Sequence, residues 1–106
     1  MLITAQDCLE NHDVIETYGI VMGNTVRARH VGSDFVAGLR NLIGGEARGY
    51  TELLTDSRNE ALQRLVTSAE DLGANAVVTL RFTTSHIVGG MTEILAYGTA
   101  VKVKKA

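Results

Sequence analysis

The sequence has one cysteine, no tryptophan, few aromatic residues of any kind and almost no net charge, and each shortage closes off a class of protein. The lone Cys8 excludes an intrachain disulfide framework and cannot by itself build a cysteine-rich zinc site. Two Phe and three Tyr make up the 5% of aromatic residues, so the core must be aliphatic. A formal charge of −2 argues against a dedicated nucleic-acid binder, because such proteins carry a strongly basic field. The opening Met1-Leu2-Ile3-Thr4-Ala5-Gln6-Asp7 has neither a basic start nor an apolar run, so it does not read as a signal peptide. No apolar stretch approaches the roughly 20 residues that span a bilayer, and the expectation is a cytoplasmic chain with no membrane contact. What is present is globular: 106 residues, 45% hydrophobic and 21% charged, which suit a single domain over 1–106.

Residues 1–13 carry Asp7, Glu10 and Asp13 without Lys or Arg and read as an extended arm before a core over 14–106. Val14 to Met22 is β-branched or aromatic and predicts a strand, with Gly19 as a bulge or close-approach point. Gly23-Asn24 then suits a two-residue hairpin turn. The following run alternates, with Val26, Ala28 and His30 on one face and Arg27 and Arg29 on the other. Ser33 and Asp34 supply a helix start, and Phe35, Val36, Leu39, Leu42 and Ile43 form one stripe before Gly44-Gly45. A longer helix follows from about Tyr50 to Leu72, with Leu54, Ala61, Leu65, Ala69 and Leu72 on one face and Gly73 as its stop. Glu60 and Arg64 are spaced for an i, i+4 ion pair on its wet side.

Ala76 to Thr83 predicts a third strand, with Val78, Leu80 and Phe82 together on one face. A loop over Thr84–Gly90 leads to a fourth strand, Met91 to Val103, and a basic tail of Lys102, Lys104 and Lys105. The order ββααββ implies an α+β domain, a four-stranded antiparallel sheet with two helices on one face. A helix of this length measures about 33 Å. A compact domain of this size has a radius of gyration near 13 Å, so such a helix spans it completely. A second apolar stripe, Leu53, Leu62 and Val66, exceeds what one small sheet covers and fits either a broad core face or contact with a second subunit.

Several segments resemble the YbjQ-like family, small prokaryotic proteins named for heavy-metal binding. They are Tyr18-Gly19-Ile20-Val21-Met22-Gly23, Gly44-Gly45-Glu46 with Tyr50-Thr51-Glu52-Leu53-Leu54 after it, Ala69–Val78 with Leu72-Gly73-Ala74-Asn75-Ala76-Val77-Val78, and Tyr97-Gly98-Thr99-Ala100-Val101. They run in order along nearly the whole chain. The resemblance implies an α+β subunit, a homopentameric ring and a heavy-metal or small-ligand role. The matched residues themselves are glycines, small residues and aliphatics, which organise turns and packing and ligate nothing.

The candidate metal ligands are Cys8, His12 and His30, with a divalent heavy metal such as zinc as the cofactor they would suit. Cys8-Leu9-Glu10-Asn11-His12 has a C-x3-H spacing found in zinc ligand pairs, but a structural site needs four ligands. A neighbouring subunit's His30 or His86 would complete it in a ring. The plain alternative makes Cys8 a small buried or semi-buried hydrophobe and His12 a solvated loop residue. His30, on an apolar strand face, also fits a hydrogen-bonded core histidine. Ser85 and His86 are adjacent and point apart when extended, no G-x-S-x-G elbow occurs, and no glycine-rich phosphate loop is present, so catalysis is not expected. The expectation is a non-catalytic, self-associating protein that binds a metal or small ligand. The alternative is a purely structural or interaction ring without one.

Overall fold

The computed structural model describes residues 1–28, 48–87 and 91–106. Among them are four strands, β1 (Leu2–Ile3), β2 (His12–Ala28), β3 (Ala76–Ile87) and β4 (Met91–Lys105), and one helix, α1 (Arg48–Asp71). The strands form one sheet in the order β1-β3-β4-β2. β2 and β3 both run antiparallel to β4, while β1 runs parallel to β3. The fold is α+β, as expected, but the sheet is mixed. The parallel pair exists because the start of the chain is tied to β3: the Leu2 amide donates to the Asn75 carbonyl at 3.1 Å and the Thr4 amide to the Val77 carbonyl at 3.0 Å. The intervening β2 and α1 supply the long crossover that parallel strands require.

The predicted turn at Gly23-Asn24 is absent, and β2 runs through it, with Gly23 opposite Ala96 and Asn24 opposite Leu95. Gly23 serves close approach instead of a turn. A Cβ there would fall on the Ala61 carbonyl oxygen and the Leu65 amide nitrogen, with the Arg64 carbonyl carbon 3.0 Å away. The helix backbone therefore rests directly on this glycine. The expected second strand is thus the distal half of β2, and Val26, placed on an apolar face by alternation, is half exposed. The short helix predicted after Ser33 and the ligand candidate His30 lie outside the described residues. In place of two helices on one face, the described residues place one.

The predicted face of α1 is the buried one. Ala61, Leu65 and Ala69 are fully buried against Val21, Val77, Ile94, Ala96 and Ala100, with Leu54, Leu62 and Val66 packed at the margin. Ala61 and Ala69, eight residues apart on the same face, let the helix sit close to the sheet, and burying Leu65 between them contributes about 2 kcal/mol. Leu72, expected on this stripe, is exposed because the helix has already ended. Gly73 adopts φ +91°, its amide bonds the Glu70 carbonyl at 2.9 Å, and the Ala74 amide bonds the Ala69 carbonyl at 3.1 Å. That pair of bonds closes a helix on a left-handed glycine. The Arg64–Glu60 ion pair forms at 2.6 Å on the exposed side.

β3 does not hold its predicted alternation. Its register to β4 shifts between Val78 and Arg81, so Thr79 and Leu80 together face the single Gly98. Such a bulge reverses the faces that follow it. Val77 joins the core beneath the helix, Val78 packs on the opposite face with Ala76, Val101 and Val103, and Leu80 returns to the helix side. Thr79 stands at φ +57°, a costly conformation for a β-branched residue. The Thr79 amide donates to the Gln6 carbonyl at 2.9 Å and the Leu80 amide to the Thr4 carbonyl at 3.1 Å, which holds it there. Gly98 leaves room for the bulge, since a Cβ there would lie 2.7 Å from Val77 Cγ1.

The chain is longer than a compact domain of its size. Its Cα radius of gyration is 17.2 Å and its extents are 53 × 25 × 17 Å, against the roughly 13 Å radius expected for a sphere-like chain. No helix among the described residues is long and apolar enough to cross a membrane.

Candidate functional site

The arm carries the two candidate ligands that the structure describes. It is not free, because Leu9 packs onto Ala76, Val78, Val101 and Val103 and pins the segment to the sheet. Asp7 accepts a hydrogen bond from the Thr79 hydroxyl at 3.2 Å, and Arg81 Nη1 donates to the Ala5 carbonyl at 2.8 Å. Asn11, at φ +60°, closes the turn that leads into β2, where the His12 amide bonds the Leu9 carbonyl at 3.3 Å. Its own carbonyl accepts from the amide of Ala106 at 2.9 Å, which joins the arm to the end of the chain.

Cys8 is a free, exposed thiol, and His12 is half-buried at the first position of β2. Nδ1 of His12 lies 2.7 Å from the Glu10 carbonyl oxygen. A carbonyl can only accept, so Nδ1 carries the proton in the neutral ring, and Nε2 keeps its lone pair for another partner. Metal-binding histidines use this same arrangement to fix their tautomer. In donor type, a thiol and a free imidazole nitrogen suit a borderline or soft divalent metal. In number they fall short: no group of three or more His, Cys, Asp and Glu side chains among the described residues is placed to hold a metal ion. His30 and Gly44-Gly45-Glu46 lie outside the described residues.

The other chemistry-bearing residues stay apart. The segment predicted as a loop from Thr84 is strand as far as Ile87. Ser85 pairs across with Glu93 and His86 with Thr92, whose hydroxyl lies 3.4 Å from His86 Nδ1. As neighbours on a strand, Ser85 and His86 face opposite sides of the sheet. The basic tail belongs to β4, with Lys102 opposite Glu16 and Lys104 opposite Asp13. Tyr18 donates toward Glu16 Oε2 at 3.1 Å and the Gly73 carbonyl at 3.4 Å, which ties β2 to the end of α1. Desolvation, then the hydrogen bond and charge of Glu16, raise the Tyr18 phenol above its ordinary value.

A broader surface lies on the side of the sheet away from the helix. One end is covered by Leu9. Further along, Ile20 is 70% exposed, Met22 57%, Val26 49% and Tyr97 37%. Met22 and Tyr97 are direct cross-strand partners, as are Asn24 and Leu95, so these residues share one apolar face. Its two charged members are engaged within the chain. Glu93 accepts from Asn24 Nδ2 at 3.1 Å, and Arg81 is held by the Ala5 and Leu80 carbonyls, both at 2.8 Å. Among the described residues the surplus apolar surface is on the sheet, while Leu62 and Val66 of the second helical stripe pack against the core; the side chain of Leu53, the third member of that stripe, lies outside what is described. The signal was the run Ile20-Val21-Met22, apolar on both parities where a half-buried strand alternates.

A family model described as "Putative heavy-metal-binding" matches residues 1–104. A UPF0145 protein of Psychromonas ingrahamii is 51% identical over 105 residues, covering 99% of this chain and 100% of its own. Another from the archaeon Archaeoglobus fulgidus is 52% identical over 104 residues, 98% of this chain and 96% of its own. The solved structure of a protein of unknown function from Pediococcus pentosaceus, assigned to the DUF74 family, has a TM-score of 0.64 over 98% of each chain. At 16% identity, that likeness extends to the α+β fold alone.

Proposed function

Because the chain belongs to the YbjQ family described as "Putative heavy-metal-binding", we propose that it is a non-catalytic, self-associating subunit, built as a homopentameric ring, that binds a heavy metal or small ligand between its copies. The apolar outer face at Ile20, Met22, Val26 and Tyr97 carries this reading. Exposed on a monomer, such a face costs free energy, and covering it with a second copy recovers the hydrophobic term at about 25 cal/mol per Å² removed from water. The elongated subunit supports the same conclusion, since a 53 Å chain is not closed around one core.

Within this reading, the Cys8 thiolate and His12 Nε2 are one copy's contribution to the ligand site, with His30 the third candidate by donor type. A thiolate binds a soft divalent metal strongly, and the fixed tautomer of His12 removes the cost of choosing one on binding. The two donors need partners from another copy, because a closed zinc site takes four. A second reading, an assembly whose function is the ring itself, is favoured by the lack of a three-donor group among the described residues.

Native mass spectrometry after exposure to zinc or cadmium separates the two. Stoichiometric metal on the assembled species, lost in the Cys8→Ala/His12→Ala double variant, is the result expected of a metal-binding ring. An intact assembly that holds no metal above chelator background leaves the purely structural ring.

A further inference from the structure

We draw no further inference here: the strongest candidate, the apolar patch on the face of the sheet away from α1 around Ile20, Met22 and Tyr97, belongs to the surface already proposed for contact between copies, and nothing in the structure shows any other occupant for it.

Discussion

Replacing Gly23 by alanine adds one methyl group, and its effect decides whether the helix-on-glycine contact governs the fold. In an open strand position the change would stabilise by about 0.5–1 kcal/mol, because glycine loses more chain entropy on folding. Here the new Cβ falls on the backbone of α1 at Ala61 and Leu65, which has no rotamer to turn aside. Overpacking of this kind costs typically 1–3 kcal/mol. Relief requires the helix to lift, and a gap of about 0.5–1 Å already forfeits a quarter to a half of each dispersion contact it opens. Ala61, Leu65 and Ala69, all fully buried, would lose contact together. The steric term therefore wins, with a net loss of about 2 kcal/mol when the cost lies at the upper end of that range. That is a large share of the 5–15 kcal/mol of a typical domain. The assay is urea and thermal unfolding followed by circular dichroism at fixed protein concentration, with Gly19→Ala as the control. Gly19 stands at φ +104°, and a Cβ added there would have no atom within 4 Å, so alanine meets backbone strain alone, about 1–2 kcal/mol. A Gly23→Ala protein as stable as the wild type, or more stable than Gly19→Ala, would refute the reasoning.

Asn75 donates from Nδ2 to the Val103 carbonyl at 2.9 Å and accepts from the Val103 amide at 2.8 Å, acting as a side-chain extension of the ladder. Asn75→Ala is expected to cost about 1–3 kcal/mol and to speed hydrogen exchange at the Val103 amide, and unchanged exchange there would contradict the role. Tyr18 has a raised phenol pKa in the folded chain, so the folded state holds that proton more tightly than the unfolded one. Its contribution to stability is complete below the ordinary tyrosine value of about 10 and is lost as pH rises through the folded value. Denaturation midpoints measured across that range should fall less steeply in Tyr18→Phe than in the wild type; equal slopes would remove Tyr18 as the cause.

The helix was legible because its apolar spacing is unambiguous: Ala61, Leu65 and Ala69 carry the face, and Gly73 marks the stop. The strands were legible as strands but not in their pairing. Gly23-Asn24 has the composition of a turn, and only the arrival of α1 on Gly23 from about forty residues further along the chain gives it another use. Alternation in β3 misassigned Val78 and Leu80 because the bulge at Thr79 depends on Gly98 opposite and on the carbonyls of Thr4 and Gln6, all remote in sequence. β1 was hidden for a related reason, since two residues make no pattern and their pairing is set by β3. At the candidate site, the C-x3-H spacing pointed to Cys8 and His12 as candidate donors. What it could not convey is that the Glu10 carbonyl sets the His12 tautomer.

Molar mass in solution tests the self-association most directly. Light scattering on the purified chain at micromolar concentration is expected to give about five times the 11.4 kDa of one copy. Ile20→Glu combined with Met22→Glu should lower that mass toward one copy while the circular dichroism spectrum stays that of the folded chain. A wild-type protein that runs as a stable, folded 11.4 kDa monomer would contradict the account.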